Sequence, residues 1–156
     1  MNIEIERKFI VKKIPKSVKS TIDIKQYYLM KDNTMVQRLR IFDNSKSIIS
    51  FKQNTKNISR YEFEYEIPFE DANKIIEIMP HMPCIQKKRH IYYENNIMWE
   101  IDEFYGSNLD LIIAEVELDF EHQSIDIPNW ITKEVTYDKK YYNFNLALNP
   151  YEKWKK

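Results

Sequence analysis

Glycine is nearly absent: Gly106 stands alone in 156 residues. A single glycine cannot build the loops whose backbone amides cradle phosphate in P-loop and dinucleotide-binding proteins, so any phosphate bound here must be held by side chains. Cys84 is the only cysteine, which excludes an intramolecular disulfide and a paired-cysteine zinc site and suits a reducing compartment. The three histidines, His81, His90 and His122, lack metal-ligand spacing, and no serine sits in a nucleophile-elbow pattern. No apolar run is long enough to span a bilayer, and the chain opens on a charged strand rather than a signal peptide, so the expected location is cytoplasmic, without a membrane partner. Neither charge is in excess: 24 Lys and Arg balance 24 Asp and Glu. No global field therefore draws the protein to nucleic acid, and electrostatic function must arise locally. The length suits one domain, expected to cover 1–156.

What the chain has instead is charge at every second position of β-prone segments. Side chains alternate across a strand, so in 3–11 Glu4, Glu6 and Lys8 share one face, while Ile3, Ile5, Phe9 and Val11 share the other with Arg7. The same split recurs. Arg38 and Arg40 lie together in 35–42, Lys52 in 46–52, Glu62, Glu64 and Glu66 in 60–67, Lys87 and Arg89 in 84–93, Glu100 and Asp102 in 97–105, and Glu115 and Glu117 in 111–120. With a further β-prone run at 24–30, about eight strands are expected. Phe69, Ala72, Ile75, Ile76 and Met79 follow helical spacing, bounded by Pro80. Asp138 is positioned to cap a second helix from Lys139 to about Leu148, stopped by Pro150. Residues 127–131 read as a short turn that packs Trp130, and 151–156 as a frayed tail anchored by Trp154.

The plainest reading is an open antiparallel sheet with one solvated face. Like charges side by side destabilise such a sheet when nothing lies between them, and an open sheet of this width has two edges to protect. Closing it removes both. An apolar interior would be lipocalin-like; a charged interior leaves the apolar face outside, for the two helices to cover. The expected fold is therefore α+β: a closed eight-stranded antiparallel β-barrel, a tunnel, with a few helices packed outside. Buried ions lose several kcal/mol of hydration each, so the cavity should hold a highly charged ligand. Arg and Lys side chains suit phosphate oxygens. The carboxylates would repel that anion unless hard divalent cations, Mg²⁺ or Mn²⁺, bridge the two.

Glu4-Ile5-Glu6-Arg7-Lys8 resembles the N-terminal Glu-x-Glu-x-Lys signature of the CYTH family, the triphosphate tunnel metalloenzymes. Arg38 with Arg40, then Lys52, Glu62 with Glu64, Lys87 with Arg89, Glu100 with Asp102, and Glu115-Val116-Glu117 are similar to its later strands in order. Glu134-Val135-Thr136 and Tyr142-Asn143 resemble the segment leading to its C-terminal helix. The resemblance implies metal-dependent hydrolysis of a small anionic triphosphate, most simply inorganic triphosphate. Glu4, Glu6 and Glu117, with Glu115 and Asp102, would hold the metal. Lys8, Arg38, Arg40, Lys52, Lys87 and Arg89 would clamp phosphates. Glu62 or Glu64, flanked by like charges, would orient the attacking water with help from Tyr28. Relatives hydrolyse thiamine triphosphate or cyclise ATP, which are the alternatives; a non-catalytic polyphosphate sensor is a third. Tyr27, Lys88 and Tyr137 depart from the family pattern, and Tyr27 is expected to narrow one mouth. A homodimer is compatible with these features.

Overall fold

The computed structural model describes residues 2–54 and 58–154. Eight strands form the wall: β1 (Ile3–Val11), β2 (Ser20–Lys31), β3 (Met35–Phe42), β4 (Lys46–Asn54), β5 (Ser59–Ile67), β6 (Cys84–Glu94), β7 (Ile97–Phe104) and β8 (Ile112–Glu117). They are antiparallel in the order β5-β4-β3-β2-β6-β7-β8-β1. The barrel closes because β1 pairs on both sides, Ile3–Ile5 with β5 and Glu6–Ile10 with β8. Closure covers the start of β5, Ser59–Tyr61, while among the described residues the rest of that strand pairs with β4 alone.

Local chemistry sets the register. Asn95 and Asn96 adopt φ of 52° and 61°, the left-handed geometry of a tight two-residue hairpin that asparagine tolerates. The turn places Glu94 opposite Ile97 and, further along, Arg89 opposite Asp102. Pro68, unable to donate to a ladder, separates β5 from helix α1 (Phe69–Ile78), which packs on Leu39 and Ile41 outside the barrel. Elsewhere outside, Phe9, Trp99, Ile101, Ala114 and Val116 form an apolar layer, with Trp130 edge-on to Trp99 at 5.3 Å.

Four features differ from the sequence expectations. Part of 127–131 joins a ninth strand, β9 (Ile131–Glu134), against the end of β1. The expected helix from Lys139 to Leu148 is broken: Asp138 does cap a 3-10 turn (Lys139–Tyr141), but Tyr142 is extended before α2 (Asn143–Leu148) begins. Nor does α2 cover the outer face. Leu146 and Tyr141 pack with Tyr28, Ile85, Phe104 and Ile113, and the last three follow the parity of Lys87, Asp102 and Glu115, so this segment stops one end of the barrel. Finally, Tyr151–Lys153 form a 3-10 turn, and Trp154 packs edge-on to Tyr141 and Tyr151, so this stretch is not frayed. Residues 55–57 of the expected polar loop, and 155–156 of the tail, lie outside the described residues.

Candidate active site

Period-two alternation around a closed wall delivers the charged side chains to one place. A cavity of about 1030 Å³ runs into the barrel, lined by Glu4, Glu6, Lys8, Tyr28, Arg38, Arg40, Lys52, Glu62, Glu64, Lys87, Arg89, Glu115 and Glu117. These are the site residues expected from the sequence, with one exception. Asp102 has the right parity but does not line the cavity; it is fully buried in the wall. Arg89 donates from Nε and Nη2 to its two oxygens at 2.8 and 2.9 Å, and Lys87 Nζ lies 2.9 Å from Oδ2. With both oxygens taken, Asp102 anchors two cations rather than facing a ligand.

Each of the six expected cations meets a carboxylate. Lys8 Nζ sits 3.2 Å from both Glu6 and Glu115, and Lys52 Nζ is 2.9 Å from Glu4 and 3.0 Å from Glu62. Arg38 reaches Glu62 at 3.5 Å, Arg40 hydrogen-bonds Glu64, and Arg89 donates to Glu100 at 2.7 Å. Glu62 and Glu64 therefore each meet a cation, and Glu62 also has the like-charge neighbours expected of it, acting on both Glu4 and Glu117. Tyr28, buried on the cavity wall, accepts a hydrogen bond from Gln26 Nε2 at 2.5 Å.

Burial works against the charge on Lys8, but Glu115 and Glu6 more than restore it, so its ammonium is held above the ordinary lysine value. Lys87 goes the other way, to about 8: burial dominates, Arg89 adds to it, and the Asp102 carboxylate is shared with that arginine. Glu117 is pushed up by burial and by Glu4, Glu6 and Glu62. Desolvation is the larger cause of that rise, and the three carboxylates add to it.

A family model of the CYTH domain matches residues 2–146. The chain belongs to the CYTH family. An inorganic triphosphatase of Acetivibrio thermocellus is 42% identical over 156 residues, covering 99% of both chains. One from Nitrosomonas europaea is 28% identical over 151 residues, 94% of this chain and 97% of that one. A crystal structure of an inorganic triphosphatase matches with a TM-score of 0.69 at 28% identity, covering 93% of this chain and 94% of that one.

Several lining residues of this CYTH barrel fall outside the expected set. Glu100 faces the cavity, and burial raises its carboxyl pKa despite Arg89. Asn143, at the start of α2, accepts from Lys87 Nζ at 2.9 Å. Arg60 lies over the Tyr142 ring, 5.2 Å from its centroid. Arg60 shares the parity of Glu62 and Glu64, the signal by which the sequence could have shown it. Tyr27, expected at a mouth, packs instead with the outer cluster under α1.

The donor set fits a hard divalent cation, since every candidate ligand is a carboxylate oxygen. Glu4 Oε2 and Glu62 Oε2 are buried without a hydrogen-bond partner; Lys52 Nζ lies near both but off hydrogen-bond geometry. Among the described residues no three His, Cys, Asp or Glu side chains form a ready-made metal cluster. Among the described residues, no helix is long and apolar enough to cross a membrane.

Proposed function

We propose that this CYTH protein hydrolyses inorganic triphosphate to diphosphate and phosphate within the tunnel. The observation that carries the reading is the convergence of six paired cations, Lys8, Arg38, Arg40, Lys52, Lys87 and Arg89, on one cavity that Glu4, Glu6 and Glu117 also line. The name of the relative at 42% identity supports it. The cations grip the phosphates and offset charge developing on the bridging oxygen as it leaves. Arg38 and Arg40 offer guanidinium forks, and Lys8 a point charge next to Glu6.

Glu4, Glu6 and Glu117, with Glu115 at the edge of the set, would hold Mg²⁺ or Mn²⁺. When bound, the metal supplies charge neutralisation between carboxylates and phosphate. Glu62 is better placed than Glu64 to orient the attacking water, because its buried Oε2 has no hydrogen bond while Glu64 is held by Arg40. Tyr28 lies on the same wall. Water attacks the terminal phosphorus, the bond to the bridging oxygen breaks, and diphosphate departs with that oxygen.

Phosphate release from inorganic triphosphate, thiamine triphosphate and ATP, each with Mg²⁺, Mn²⁺ or chelator, tests this directly. Preference for inorganic triphosphate, lost with chelator, is expected. Preferential hydrolysis of thiamine triphosphate, cyclic product from ATP, or binding without phosphate release would replace the reading.

A further inference from the structure

We propose that Arg60 is an additional phosphate-binding residue of the tunnel, held ready over the Tyr142 ring. The inference rests on the functional reading above and adds a residue to it. Each of the six expected cations has a carboxylate oxygen within 4.0 Å. Arg60 lines the same cavity, yet among the described residues no carboxylate lies that close to it. Its cross-strand partner at the barrel seam is Glu4, but Glu4 turns to Lys52 instead. What holds Arg60 is the Tyr142 ring, whose own hydroxyl donates to the Thr136 carbonyl at 3.0 Å. A cation–π contact fixes a guanidinium without consuming its five N–H donors.

An anion arriving at any of the other six cations must compete with a protein carboxylate. At Arg60 it meets no such competitor. A second cation stands on the same ring: Lys8 Nζ lies 6.0 Å from the Tyr142 centroid. The shared ring places the two cations where one phosphate group can meet both. The occupant is thus the substrate's own phosphate, contacted by Arg60 on one side and Lys8 on the other.

The test is the KM and kcat of Arg60→Ala, Arg60→Lys and Tyr142→Leu with inorganic triphosphate. A second readout is the rise in unfolding midpoint that inorganic triphosphate gives each variant in chelator, where no turnover is needed. Arg60→Ala should raise KM about 10- to 100-fold, the range for one charge-assisted hydrogen bond, with kcat within about threefold and with most of the anion protection lost. Arg60→Lys should recover part of the loss, and Tyr142→Leu should move KM the same way by less. Unchanged KM and unchanged protection in Arg60→Ala would overturn the inference while leaving triphosphatase activity intact. If the wild type releases no phosphate but triphosphate protects it through Arg60, the binding role stands and the catalytic reading falls. The midpoint without anion shows whether each variant is folded.

Discussion

Lys87 and Asp102 meet at 2.9 Å in the barrel wall, with side chains only 2% and 0% exposed. Asp102 serves Lys87 and Arg89 at once, and Arg89 takes the larger share through two hydrogen bonds. Lys87 keeps one contact there and one to Asn143, so burial brings its pKa down to about 8. Lys87 is thus a cavity-lining cation that can lose its charge at about pH 8.

The sign follows from that value. Lys87 is charged below about pH 8 and neutral above it. Since kcat/KM reports groups of the free enzyme, kcat/KM for triphosphate should fall as pH rises through about 8, approaching tenfold per unit for a single proton. In Lys87→Arg the charge persists, and the alkaline limb should move to higher pH. An unshifted limb would assign the titration elsewhere.

Asp102→Asn leaves two buried cations without their shared counter-charge. Breaking a buried pair by removing one partner costs about 3–5 kcal/mol, which urea unfolding at neutral pH would measure. Asp102 is held below its ordinary value of 3.8. Its contribution is therefore complete above that value and lost as pH falls through the lower folded one. Because both oxygens serve Lys87 and Arg89, the variant should raise KM while the metal concentration for half-maximal rate stays unchanged. A shifted metal requirement would return Asp102 to the metal ligands.

Glu4→Ala and Glu117→Ala should lower kcat by on the order of 100-fold or more, the upper range for disturbing a metal site, and chelator should abolish wild-type turnover. Lys52→Ala should chiefly raise KM. Steady-state rates at saturating and limiting metal separate these effects, and full activity in either glutamate variant would remove that residue from the metal set.

Arg7 provides the contrast to its neighbour Lys8. It points outward, in a two-pronged contact with Glu134 at 2.9 and 2.7 Å that is partly open to solvent. Such a pair contributes roughly 0.2–1 kcal/mol, so Arg7→Ala should change stability by no more than that and leave the metal dependence of the rate unaltered. Lys8→Ala, one position along, should raise KM at least tenfold, a size consistent with loss of a charge-assisted contact. Denaturation midpoints and KM values for the two variants check this.

Strand parity is local, and the chain alone determined it. A side chain's face follows from its own position in a strand, so Glu4, Glu6 and Lys8 inward with Arg7 outward was legible without neighbours. Charge repeated on one face also made closure the favoured fold, since an open sheet would leave like charges adjacent and two edges bare. Arg60 obeyed the same parity, but stands at the start of β5 after a polar loop, where alternation has no run behind it. Tertiary structure alone decided the rest. Which cation meets which carboxylate depends on cross-strand register, and Asp102's depth depends on Arg89 lying directly opposite. The plug by α2 depends on Tyr142 interrupting a helix whose spacing looked continuous. Pairings between distant strands are set by how far each slides past its neighbour, and no local period records that distance.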